Sequence, residues 1–248
     1  MSPADVTRAP RIEVHETEDA LATAIAGELL LRLSDVQAAG REPQIALTGG
    51  TIADAVHREL ARLSETAEVD WSHVVVWWGD ERFVEPASDD RNERQAREAF
   101  LDLVDVDPAK VHPMPSTESV GSLEEGAAAY GEELRSWGSG EFDIVMLGIG
   151  PDGHIASLFP GFPQLDVDDQ VAVAVTGSPK PPPERISLTF GALNRAASVW
   201  FLVSGEGKAA AVAAALAEGT DPHDIPAAGV TGTDETIWFL DRPAASHL

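Results

Sequence analysis

Phe142-Asp143-Ile144-Val145-Met146-Leu147, followed by Gly148-Ile149-Gly150-Pro151-Asp152-Gly153-His154-Ile155-Ala156-Ser157-Leu158-Phe159-Pro160-Gly161, is the stretch on which the reading of the fold turns. A short run of large apolar side chains bounded by glycines reads as a strand buried on both faces, the form a strand takes in a parallel sheet. The chain leaves it through a glycine-rich turn that carries Asp152 and His154. In open α/β sheets ligands bind outside the carboxyl ends of the strands. An aspartate two residues before a histidine at that place is a candidate acid–base unit. Taken alone, a histidine in a turn is more often an ordinary exposed loop residue.

The same grammar recurs on both sides of this stretch. Gln44–Thr48 reads as a strand running into Thr48-Gly49-Gly50-Thr51 and then a helix with apolar Ile52, Val56, Leu60 and Leu63. Strand, Gly-Gly turn, hydroxyl and helix N-terminus form an anion-binding geometry, because backbone N–H groups and the helix dipole face the ligand together. The loop is neither a P-loop nor a dinucleotide fingerprint. Thr51 and Asp54 have capping-box spacing. His73–Trp78 reads as a buried strand ending in Gly79-Asp80-Glu81-Arg82-Phe83-Val84, three charged residues straight after an apolar run. Val199–Val203 reads as another strand, ending in Ser204-Gly205-Glu206-Gly207-Lys208 before an alanine-rich helix. A cation so near a helix N-terminus is disfavoured by the dipole, and a bound anion offsets that penalty.

Between these units, Thr17 is placed to cap a helix bearing Leu21, Ile25, Leu29 and Leu33, after a short strand at 12–15. A helix preceded by Asp89–Asn92 is expected through Leu101, and Ser122 with Glu125 makes a capping box for a third, whose apolar stripe ends at Trp137. Residues 104–121 read as loop. Strand-like Val171–Thr176 and Arg185–Phe190 flank a stiff connector, Ser178-Pro179-Lys180-Pro181-Pro182-Pro183, and Thr236–Asp241 is a last strand. Strands and helices alternate throughout, so the expected fold is α/β: a single domain over 1–248 with a doubly wound, mostly parallel sheet flanked by helices, a Rossmann-like variant, and a flexible N-terminus at 1–11.

Composition narrows the function. The chain has 248 residues, a net charge of −25 and no cysteine. Thiolate catalysis, disulfides and Cys-ligated zinc are excluded. No secretory leader and no apolar run long enough for a membrane span is visible, so the expected setting is the cytoplasm. The charge argues against nucleic acid and membrane surfaces as partners. An anionic ligand must then meet basic residues focused in one cleft, drawn from 17 Lys and Arg of which only Lys110, Lys180 and Lys208 are lysines. No metal is called for, since the histidines lack ligand spacing, and Gly-x-Ser-x-Gly is absent. No cofactor is called for either, and a monomer is compatible with the sequence.

In order and spacing these segments resemble the 6-phosphogluconolactonase family, within the larger group that includes glucosamine-6-phosphate deaminases. The resemblance rests on the Gly-Gly-Thr loop, Gly79–Val84 with Asn92 downstream, the Gly150–Pro160 segment, Ser178–Pro182 with Arg185–Thr189, the Gly205–Lys208 turn and Pro226-Ala227-Ala228, and spans about residues 12–242. Ile52 stands where the family's Gly-Gly-Ser/Thr loop usually continues with proline. The family's deaminases carry an acidic residue five positions after the motif histidine; here it is Phe159. The resemblance implies hydrolysis of a phosphorylated sugar lactone. His154 would be the base for water, with Asp152 or Asp80 holding its imidazole. Arg82 would stabilise the oxyanion or hold sugar hydroxyls, and Asn92 would be a hydroxyl ligand. Gly49, Gly50, Thr51, Arg185 and Lys208 would hold the phosphate, with Lys180 as a further contact. An amino-sugar-phosphate deaminase and a non-catalytic sugar-phosphate sensor are the competing expectations; the chain has no spare segment for a sensor's output module.

Overall fold

A computed structural model of the chain describes residues 9–137 and 141–248. The order is β1 (Arg11–His15), α1 (Glu18–Ala38), β2 (Gln44–Leu47), α2 (Thr51–Ser64), β3 (Val75–Trp78), β4 (Asp80–Arg82), α3 (Asn92–Ala99), α4 (Leu123–Ser136), β5 (Ile144–Leu147), β6 (Ala172–Val175), β7 (Arg185–Leu188), α5 (Phe190–Leu193), β8 (Ser198–Val203), α6 (Ala209–Leu216) and β9 (Glu235–Asp241). Six strands form one all-parallel sheet in the order β1-β9-β8-β5-β2-β3. This is the parallel, doubly wound sheet that the alternation predicts. Arg11, within the stretch 1–11 expected to be flexible, already pairs with β9; residues 1–8 lie outside the described residues.

The apolar strands are continuous in sequence because both faces are covered. Side chains alternate across a strand, so Val75 and Trp77 enter one core while Val76 and Trp78 enter the other. The first core lies under α4 and α6, the second under α1, α2 and α3. Tyr130 of α4 ties its face to the sheet directly, its hydroxyl taking the Trp78 N–H at 2.9 Å.

Three strands do not belong to this sheet. β4, β7 and β6 form a separate antiparallel sheet on the first face. Gly79 is the hinge: its N–H bonds Leu47 O in the main sheet, and its carbonyl takes Leu188 N from the small one, both at 2.9 Å. The charged triplet Asp80–Arg82 is therefore a strand in its own right rather than a loop past β3.

The caps follow the sequence in part. Thr17 accepts Ala20 N–H at 3.2 Å. Ser122 accepts Glu125 N–H at 3.1 Å, while the Glu125 carboxylate takes Gly121 N–H, one residue earlier than a reciprocal box requires. The Thr51–Asp54 box does not form. The cap of α2 is Gly50 at φ 101°, a conformation that costs glycine little, and it leaves Thr51 as the first helical residue. Asp54 instead pairs with Arg58. β3 starts at Val75, two residues later than expected, because Trp71–His73 close a single 3-10 turn. α3 stops at Ala99, short of Leu101, where another 3-10 turn begins.

His57 of α2 gives the fold an acid liability. It is buried against Phe100, and desolvation lowers its pKa to about 4. Its folded pKa lies below the unfolded value near 6.5, so the unfolded chain takes up the proton first. Stability is then full above about pH 6.5 and falls as pH drops toward 4, by about 3 kcal/mol from this group. Denaturant unfolding across that range is expected to show His57→Leu losing less stability than wild type; a difference between the two that does not change with pH contradicts this.

Candidate active site

The order of the sheet fixes where a ligand can sit. From β2 the chain steps outward to β3, then crosses back to β5 and proceeds the other way to β8 and β9. The switch lies between β2 and β5, and their carboxyl ends open the crevice expected at such a point. A cavity of about 210 Å³ occupies it. Thr48, Gly49 and Gly50 come from the end of β2, Asp80 and Arg82 from the hinge and β4, Gly148 and Ile149 from the end of β5. His154, Ala156 and Phe159 follow on the turn beyond β5.

His154 is held on two sides. Its Nδ1 lies 2.5 Å from Asp152 Oδ1, and the same oxygen accepts its backbone N–H at 3.3 Å. Its ring leans on Phe159, centroids 4.6 Å apart. With Nδ1–H directed at the carboxylate, Nε2 is the free acceptor, and it makes no hydrogen bond to another described residue. Burial pushes the His154 pKa down, and Asp152 pulls the other way without cancelling it, so the imidazole is neutral near pH 7. For Asp152, burial raises the pKa and the His154 contacts outweigh it, leaving the carboxyl below its ordinary range. The turn closes tightly enough that only glycine at 150 leaves both side chains in place. A Cβ there would lie 2.0 Å from His154 Nδ1 and 2.3 Å from Asp152 Oδ1.

Four basic side chains, Arg82, Lys180, Arg185 and Lys208, line the same cavity. Arg82 donates from Nη1 to Asn92 Oδ1 at 2.7 Å and also to Asp90 O, while its buried Nε has no partner. Arg185 spends Nε on Pro182 O at 2.8 Å and one terminal nitrogen on Lys180 O at 3.1 Å. It thereby braces the proline-rich connector, which is a wall of the site and not a mere linker. Lys208 caps α6 and donates to Ile149 O at 2.6 Å; burial lowers its pKa, and facing Lys180 lowers it further.

Two expected ligands stand differently from the sequence reading. Thr51 is exposed and does not line the cavity; the buried Thr48, three residues earlier, does. The left-handed turn at Gly50 carries Thr51 onto the helix and out of the crevice. Asn92 lines the cavity, but its amide is engaged on both sides, Nδ2 to Asp80 O at 2.9 Å and Oδ1 to Arg82. It positions Arg82 rather than standing free for a hydroxyl. Of the two aspartates considered for His154, Asp152 makes the contact; the Asp80 carboxylate goes to Ser157 Oγ at 2.6 Å.

Sequence reasoning gave no role to Glu81 or Ser157. Glu81 is fully buried and accepts the backbone N–H groups of Arg82, Asn92 and Glu93 at 2.8, 2.8 and 2.9 Å. It caps α3 from across the chain and so fixes the position of Asn92. Both residues lay inside the quoted motifs, but their partners are set by the fold and not by spacing.

Residues 16–238 match the model of the family described as glucosamine-6-phosphate isomerases/6-phosphogluconolactonase. The chain belongs to this family. A 6-phosphogluconolactonase of Streptomyces coelicolor is 42% identical, the match covering 96% of this chain and 95% of that one. One of Mycobacterium tuberculosis is 43% identical over 96% and 98%. Among solved structures, the 6-phosphogluconolactonase of Trypanosoma brucei superposes with a TM-score of 0.83 at 27% identity, covering 96% of this chain and 98% of that one. The family joins two activities on one architecture, so the choice between them rests on the side chains of the cleft.

Proposed function

We propose that this chain hydrolyses 6-phospho-D-glucono-1,5-lactone to 6-phosphogluconate, a step of the oxidative pentose phosphate pathway, in a cytoplasmic setting. The observation that carries this reading is a neutral imidazole, backed by Asp152 and with Nε2 free, in a cleft lined by four cations on a chain of net charge −25. His154 Nε2 takes a proton from water as the water oxygen attacks the lactone carbonyl. The carbonyl electrons move onto oxygen, where Arg82 stabilises the charge. Collapse re-forms the carbonyl and breaks the bond to the ring oxygen, which receives the proton from Nε2. Asp152 fixes the tautomer and steadies the imidazolium. Lys208, Lys180 and the N–H groups of the Gly49–Gly50 loop hold the phosphate, with Arg185 shaping the connector behind them. No helix of the described residues is long and apolar enough to cross a membrane.

Phe159 favours this activity over deamination. It presses an apolar ring on His154 and supplies no proton at that place. Purified protein is expected to accelerate loss of the lactone above its spontaneous hydrolysis and to release no ammonia from glucosamine 6-phosphate. Ammonia release without lactone loss overturns the assignment.

A further inference from the structure

Asp80 has no part in holding His154, yet it is built into the cleft with care. The residue is 6% exposed and lines the cavity. Oδ2 accepts from Ser157 Oγ at 2.6 Å; Ser157 is wholly buried, and its own N–H is held by Ser187 Oγ at 3.2 Å. The backbone of Asp80 is pinned as well, by Asn92 Nδ2 on its carbonyl and by pairing with Ser187. The second carboxylate oxygen has only a long contact, 3.5 Å, to Asn92 Nδ2. Among the described residues no basic group lies within ion-pair distance of it. An oriented acceptor with an open lone pair thus faces a cavity whose other charged walls are cationic.

A carboxylate is acceptor-only. It cannot meet the phosphate or the developing oxyanion, since both are anions. The donors that a phosphorylated sugar lactone offers are its ring hydroxyls. We infer that Asp80 is a specificity-determining residue that accepts a hydrogen bond from one ring hydroxyl of the substrate, with Ser157 as the positioning residue that aims it. This rests on the lactonase reading above. Ser157 lies three residues after His154, and the Asp80 carboxylate it holds is close enough to act on the His154 imidazole, so the hydroxyl is one near the reacting end of the sugar. The arrangement orients the substrate by charge: the anionic end is drawn to the lysines and repelled from Asp80, and the hydroxylated end fits the carboxylate.

The test compares four lactones: the 6-phosphorylated substrate and its 2-, 3- and 4-deoxy analogues, with wild type, Asp80→Asn and Ser157→Ala. Wild type is expected to discriminate against one analogue by about 10- to 100-fold in kcat/KM, the range for a hydrogen bond to a charged group. Asp80→Asn should lose about that factor on the full substrate and little on that one analogue; Ser157→Ala should show the same pattern, smaller. Binding of inorganic phosphate, followed by calorimetry, should be kept or tightened in Asp80→Asn, because a negative charge has left the cleft. Equal losses on all four lactones, or loss of phosphate binding, would overturn the assignment by making Asp80 a base for water or a support of the fold. If wild type hydrolyses none of the four, the activity itself fails and this assignment goes with it.

Discussion

His154→Ala is expected to lower kcat by about 10²–10⁴-fold, the contribution of a positioned acid–base group, while KM stays close to wild type. Nδ1 is committed to Asp152 at 2.5 Å, and the one acceptor left on the ring faces the cavity. The proposed phosphate grip, in contrast, uses lysines and backbone groups on other segments, and alanine leaves these in place. The split between kcat and KM therefore separates a base from a binding contact. Initial rates of lactone loss, corrected for spontaneous hydrolysis, measure it. A variant that keeps wild-type kcat, or one whose loss lies wholly in KM, contradicts the role given to His154.

Gly150→Ala removes no functional group and is nonetheless expected to cost kcat on the order of 10²–10³-fold, because a base displaced by about 1 Å loses most of its value. The added methyl would stand 2.0 Å from Nδ1 and 2.1 Å from Cε1 of His154. Gly150 is not one of the glycines at positive φ, so the backbone itself accepts alanine. The atoms in the way are the ends of two side chains, His154 and Asp152, which can swing aside. The fold survives that displacement and the acid–base pair does not. Thermal unfolding should be nearly unchanged while kcat falls. An active Gly150→Ala enzyme would mean that the imidazole need not lie against this turn, and a large fall in Tm would mean that the turn serves stability first.

These two residues also show how far the sequence reaches. The strands were legible because burial on both faces makes each a short unbroken apolar run, and the glycines after Leu47, Trp78 and Leu147 mark where each leaves the sheet. The pairing of His154 with an aspartate was half legible. Asp152 is two residues away and Asp80 is 74 residues upstream, so spacing alone left both open, and the fold sends Asp80 to Ser157 instead. The second sheet was hidden, because Asp80–Arg82 is a three-residue charged strand whose partner, Arg185–Leu188, lies a hundred residues on. Thr48 and Thr51 could not be told apart by composition. The left-handed turn at Gly50 decides between them, and that turn is a backbone property.

Arg185 and Asn92 illustrate the same limit at the site. Each residue type suits a ligand contact and each lines the cavity, and each also spends hydrogen bonds on another part of the cleft. Arg185 braces the connector that presents Lys180, and Asn92 holds Arg82. A motif names the residues that meet in the cleft; their hydrogen bonds decide which of them remain free to meet a substrate.

The pH dependence of kcat/KM for the wild-type enzyme between pH 4.5 and 8 tests His154 as the base most directly. A base that must be neutral gives a rate that falls on the acid side, and burial of His154 places the midpoint of that fall below the ordinary histidine value of about 6.5. The expected profile is a plateau at neutral pH and a single acid limb with its midpoint under that value. A profile that stays flat through the range, or one whose midpoint lies above it, would contradict a neutral His154 as the base.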